Sequence, residues 1–174
     1  MRHWQQDKER TDRFLPAIKR ILGEYLIDEA PLEEDRERNA DLIVLRLNAV
    51  RIAVRLRDKK YFNDYCEQFT VRASRPSEQK TELDKIQEGW GDYFLYGFAD
   101  LGNITETELY RWTLGSLDAL RSHIKNCAEQ RQLPYRHRKN NFDKSSDFVV
   151  FHYEDVPNYL VAYGEQEEIP CKDN

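Results

Sequence analysis

Arginines at alternate positions are the residues of this chain best placed to do chemistry. In the stretch VRIAVRLRD, residues 50–58, Arg51, Ala53, Arg55 and Arg57 alternate with Ile52, Val54 and Leu56. The two-residue period of a β-strand sends these two sets to opposite faces. Arg72, in FTVRASR, joins the arginine face from the next strand. Guanidinium groups stay protonated and repel one another when packed, unless an anion or carboxylates lie among them. The phosphates of a nucleic-acid backbone or of a small molecule would serve. So would carboxylates of the chain itself, Asp41, Glu67 and Glu82 among them. Both readings stand on the sequence.

Three other groupings have side chains suited to recognition. Trp90 sits between Gly89 and Gly91, ahead of Tyr93, Phe94, Tyr96 and Phe98. An exposed Trp90 would stack on bases, whereas alternate rings on both faces describe a central strand buried between layers. The second reading is favoured. The stretch YRHRKNN carries Arg136, His137, Arg138 and Lys139 and reads as a solvated basic loop, also within reach of phosphate. Glu78-Gln79-Lys80 is a literal Glu-x-Lys in a polar loop, a match that arises by chance in so charged a chain. The four histidines lack metal-ligand spacing, and no phosphate-binding loop, dinucleotide fingerprint or nucleophile elbow appears. No metal site is expected on this basis.

The elements that must position these residues follow from periodicity. Phe14, Ile18, Ile21, Leu22 and Tyr25 recur at helical spacing over residues 11–27. The segment DEAPLEEDRERNA reads as a loop or short helical turn. DLIVLRL, apolar on both faces, suits a covered strand, and Asn48-Ala49 a tight turn. FTVRASR is a third strand, Thr81 caps a short helix that closes at Gly89, and DYFLYGFAD is a fourth strand. The order over residues 11–100 is therefore α-β-β-β-α-β. Beyond it come a strand in ELYRWTLGSL, a helix in SLDALRSHIKNC with Leu117, Leu120 and Ile124 inward, a strand in DFVVFHYEDV, and a short helical segment in NYLVAYG opened by Pro157. The expected fold class is α/β (α+β), a central mixed sheet flanked by helices. One domain covers residues 1–174, with a core of about 11–100, a C-terminal strand/helix extension of about 101–164 and a loose tail at 165–174.

Composition bounds the class. The chain has 174 residues, 34% charged and 40% hydrophobic, with 12% aromatics, as expected of a folded domain whose core relies on rings. No apolar run nears the ~20 residues of a membrane span, and the charged N-terminus lacks a signal-peptide pattern. Three cysteines, Cys66, Cys127 and Cys171, without paired spacing, point to a reducing cytoplasm and no structural disulfide. The net charge of −5 hides an asymmetry. Residues 41–80 hold nine Lys/Arg against five Asp/Glu, and residues 81–120 hold two against eight. A basic stretch in an acidic chain marks an anion-binding face, or is neutralised by the acidic stretch on folding.

The order α-β-β-β-α-β, over roughly residues 11–100, resembles the core of the PD-(D/E)XK, or restriction-endonuclease-like, nucleases. In that family an Asp on one strand and a Glu-x-Lys on the next hold a divalent cation and a water. The resemblance puts Asp41 at the Asp position, Arg55 at the Glu position and Arg57 at the Lys position. Arginine has no lone pair for a metal, so this register implies a nuclease-like domain without the usual metal site, requiring no cofactor and binding nucleic acid through Arg51, Arg55, Arg57 and Arg72. A slipped register that recruits Glu67 would instead give an active Mg²⁺-dependent nuclease. A different class also fits: a protein-binding accessory or inhibitor module in defence, counter-defence or DNA metabolism, using the acidic 81–120 stretch and the tyrosines.

Overall fold

Alternation along residues 52–58 is realised as a strand, and the strand it pairs with lies some forty residues on. The computed structural model describes residues 9–29, 42–44, 50–74, 80–139 and 146–165. Helix α1 (Leu15–Leu26) leads into β1 (Ile27–Glu29), which pairs antiparallel with β2 (Leu42–Val44). Then follow β3 (Ile52–Asp58), a 3₁₀ turn over Lys59–Tyr61, the single-turn α2 (Phe62–Tyr65) and β4 (Gln68–Arg72). Helix α3 (Glu82–Gln87) precedes β5 (Tyr93–Ala99) and β6 (Arg111–Ser116), and α4 (Leu117–Glu129) runs directly on from β6. The described chain closes with β7 (Arg136–Lys139), β8 (Asp147–His152), a 3₁₀ turn over Tyr153–Asp155 and β9 (Leu160–Glu165).

A four-stranded mixed sheet of order β3-β5-β6-β9 lies at the centre, with β3 parallel to β5 and the remaining pairs antiparallel. A second, antiparallel sheet has the order β4-β8-β7. The α+β class with a central mixed sheet is as expected. The pairing is not what the chain order suggests, because β2, β3 and β4 each belong to a different sheet.

Both faces of the mixed sheet are covered, which is why β5 is apolar throughout. On one face Leu95, Ala99, Leu109, Trp112 and Leu114 pack with Phe14, Ile18 and Ile21 of the N-terminal helical segment. On the other, Phe94, Tyr96 and Phe98 meet Phe69, Val71, Val149 and Phe151 of the second sheet and Leu83, Ile86, Leu117 and Leu120 of α3 and α4. The rings form a stack in which Phe69 lies 4.3 Å from Tyr159 with parallel planes and 5.2 Å from Phe151. Such pairs contribute about 0.5–1.5 kcal/mol each beyond their buried area.

Three expectations are corrected. NYLVAYG is not helical: after Asn158, at φ 59°, the chain enters β9, an edge strand paired with β6. Pairing with β6 bonds alternate residues along the segment, whereas a helix this short would leave most of its end N–H and C=O groups without an internal partner. YRHRKNN is not simply a loop, since residues 136–139 pair with β8 as β7. Cys66, 4% exposed beside Phe62, is disulfide-bonded, against the expectation of no structural disulfide; its partner lies outside the described residues. Outside them too lie the Asn48-Ala49 turn, most of the 28–40 loop, Glu78-Gln79 and the tail beyond residue 165. No helix among the described residues is long and apolar enough to cross a membrane.

Helix α3 starts as expected, with a reciprocal cap. The Thr81 hydroxyl accepts from the Asp84 amide at 3.2 Å, and the Asp84 carboxylate accepts from the Thr81 amide and hydroxyl, both at 2.8 Å. The Thr81 amide, and then its hydroxyl, hold the Asp84 carboxyl below its ordinary value. A folded-state value below the unfolded one, about 3.9, stabilises above that pH and is lost as pH falls through the folded value. Thr81→Ala is therefore expected to cost about 1 kcal/mol at neutral pH. Its gap from wild type should narrow as urea melts are repeated below about pH 4.

Candidate functional site

Four strands from both larger sheets, with the 3₁₀ turn and α2, meet at one concave site. From β3 come Arg55, Leu56 and Arg57, from the 3₁₀ turn and α2 come Tyr61 and Tyr65, and from β4 come Gln68 and Thr70. Phe148 and Val150 of β8, with Arg138 and Lys139 of β7, complete a cavity of about 360 Å³. Register explains the convergence. Thr70 stands opposite Val150, and Arg138 opposite Phe148, so alternate residues of three strands share the face that looks toward β3. Among the described strands β3 is the outer one of its own sheet, so its half-buried Arg55 and Arg57 lie at that sheet's rim.

Among the described residues, four cations and no carboxylate line this cavity. Arg55 is matched: its Nη1 donates to Glu82 Oε2 at 2.6 Å, and its guanidinium lies 4.7 Å over the Phe148 ring. Glu82 also accepts the Arg72 backbone N–H at 3.0 Å, so one carboxylate ties α3 to β3 and β4. Arg57 is held differently, 4.1 Å over the Tyr65 ring and 5.1 Å from that of Tyr61, with Nη1 3.5 Å from the Tyr96 hydroxyl. Arg138 approaches the same Tyr65 ring at 5.6 Å. Contacts with ring faces orient a guanidinium without cancelling its charge. Among the described residues no carboxylate pairs with Arg57, Arg138 or Lys139. The site therefore presents three uncompensated cations on aromatic walls, the chemistry of a phosphate-bearing ligand.

Of the arginine face read from sequence, Arg55 and Arg57 line the cavity and the other two do not. Arg51 is exposed ahead of β3, where its amide donates to Asp92 Oδ2 at 2.7 Å. Arg72 packs 6.0 Å from the Phe148 ring, outside the lining. Glu67 is exposed in the turn before β4, its carbonyl accepting from the Tyr153 amide, and it too lies outside the lining. Asp41 falls outside the described residues. Among those residues no group of three or more His, Cys, Asp or Glu is placed to hold a metal ion. Trp90 is 63% exposed, between two glycines at φ 89° and 82°, and takes no part in the cavity. Sequence reasoning missed Tyr61, Tyr65 and Phe148, and although it read Arg138 and Lys139 rightly as exposed, it did not bring them to the arginine face. The interleaving of cations with aromatics in KKYFNDY and YRHRK was the available signal.

Fold and site together define an α+β protein with a four-stranded mixed sheet and a cationic, tyrosine-walled cavity between its two larger sheets. No protein-family model, no curated protein and no solved structure matches the chain.

Glu82 sets how much of this charge is available. Glu82→Gln keeps an acceptor for the Arg72 amide and removes the negative charge beside Arg55. The variant is expected to bind a single-stranded oligonucleotide more tightly, with the slope of log K against log salt steeper by about 0.7, one further phosphate contact. An unchanged slope in anisotropy titrations would show that Arg55 does not reach the ligand.

Proposed function

We propose that this chain is a nucleic-acid-binding domain that grips phosphates at the cavity between β3 and the β4-β8-β7 sheet. One observation carries the reading: Arg57, Arg138 and Lys139, from two different sheets, converge on one cavity whose described lining holds no carboxylate. A set of like charges held this close is stabilised by a bound polyanion, and Tyr61, at 41% exposure, offers a ring at the rim for a base. Both arginines that the nuclease resemblance puts at metal-binding positions face this cavity, which suits a scaffold that binds the backbone instead of a cation. Titration of labelled DNA and RNA with wild type and with Arg57→Glu/Arg138→Glu tests it. Equal binding by the two folded proteins would overturn it.

A protein partner is the second reading, favoured by β9. That strand forms one edge of the mixed sheet and exposes Leu160, Val161 and Tyr163 along its length. Exposed apolar side chains on a sheet edge suit strand addition by another polypeptide.

A further inference from the structure

The cavity is not isolated. A second one, of about 680 Å³, lies along the same strand, lined by Arg136, His137, Tyr135, His123, Cys127 and His152, with Gln132, Leu133, Pro134 and Asp155 completing the wall. Val150 lines both cavities, and Arg136 stands directly opposite Val150 in the β7–β8 register. The four residues of β7 are all exposed and all cationic or imidazole-bearing. Its C-terminal pair, Arg138 and Lys139, serves the first cavity, and its N-terminal pair, Arg136 and His137, serves the second.

We infer that β7 is the floor of a continuous track for single-stranded nucleic acid, with the strand running from the first cavity past Val150 into the second. This rests on the phosphate-binding reading of the first cavity and extends it to a substrate class. Each cavity joins cations to tyrosine: Arg57, Arg138 and Lys139 with Tyr61 and Tyr65 in one, Arg136 and His137 with Tyr135 in the other. Tyr135 is braced edge-on by Phe151 at 5.4 Å and by His137 at 5.3 Å, which fixes its ring as a platform. Cations that follow a backbone, interleaved with rings that accept any base, are the usual means of holding a single strand without sequence preference. β7 spans roughly 10 Å at ~3.3 Å per residue, so a short stretch of strand reaches both cavities. Duplex bases are stacked inside the helix and cannot enter either one. β7 pairs only with β8 among the described strands, so no described strand occupies its other edge. Among the described lining residues the one carboxylate, Asp155, lies at the second cavity.

The test compares thymidylate oligomers of about 2 nucleotides, too short to fill both cavities, and about 12, and a duplex of the longer length, by fluorescence anisotropy. Wild type, Arg136→Glu/His137→Glu and Arg57→Glu/Arg138→Glu are measured after circular dichroism shows each to be folded. Wild type is expected to bind the long single strand at least about tenfold more tightly than the short one, and more tightly than the duplex, one further stacked base being enough for that factor. Arg136→Glu/His137→Glu should collapse the ratio of long to short affinity toward one. If wild type binds the short oligomer but the ratio survives in that variant, or the duplex binds as tightly as the single strand, the track is overturned and the first cavity still stands. If wild type binds no oligomer, or Arg57→Glu/Arg138→Glu binds as wild type does, the cavity reading falls and the track with it.

Discussion

Reversing two charges, in Arg57→Glu/Arg138→Glu, is expected to reduce affinity for single-stranded DNA or RNA by about a hundredfold or more while leaving the fold intact. Each of these guanidiniums lies over the Tyr65 ring and carries a charge that no carboxylate among the described residues offsets. The substitution both removes two phosphate partners and puts two anions in their place, so the loss exceeds that of a double alanine variant. Salt provides an independent readout. With Arg57, Arg138 and Lys139 as the contacts, log K should fall with log salt at a slope of about −2, each contact adding about −0.7 on a single strand. The variant should show no slope of that size. Wild-type affinity that is flat between low and moderate salt would mean that the cavity does not work through phosphates. Arg51→Glu is the control, because Arg51 lies outside the cavity lining and is expected to change little beyond a general charge effect.

The second large effect concerns the fold, at Gly115. A Cβ on this residue would lie 2.0 Å from Cζ of Tyr159, with two more ring carbons at 2.4 and 2.5 Å. The Tyr159 ring cannot retreat: it is 1% exposed and stacked in parallel on Phe69 at 4.3 Å. The backbone is tied as well, since the Ser116 amide donates to the Tyr159 carbonyl at 2.8 Å, beside the register shift of β6 and β9. Gly115→Ala is thus expected to cost about 3 kcal/mol or more, the upper part of the range for overpacked cores, and to lower the melting temperature by roughly 6–12 °C. Gly23→Ala is the contrasting case. Nothing lies within 4 Å of its Cβ position, and it sits inside α1, so the substitution should stabilise by about 0.5–1 kcal/mol. Thermal and urea melts check both. Similar stability for Gly115→Ala and wild type would mean that Tyr159 does not pack there.

Glycine is also where local reading and tertiary packing part company. Gly89 was legible as a helix stop because a positive φ suits it in any context. Gly115 carried no local signal. Its need for a bare backbone comes from a tyrosine brought in from beyond α4, β7 and β8.

What the sequence by itself determined was everything with a short period. Ile52, Val54 and Leu56 on one side of β3, with Arg55 and Arg57 on the other, follow from a two-residue repeat that needs no partner to be read. The Thr81 cap, the start of α4 after Ser116 and the buried strand of aromatic residues at β5 are equally local. The tertiary structure alone decided who faces whom. β4 pairs with β8, with Ser74 and Asp147 hydrogen-bonded although 73 residues apart, and that pairing carries β7 to the mouth of the arginine face. Strand partners are chosen by long-range burial and register, which leave no trace in a single stretch of residues. For that reason Arg138 and Lys139 read as a solvated loop until the fold set them beside Arg57, and Arg72 and Arg51 read as part of a site from which the fold leaves them out.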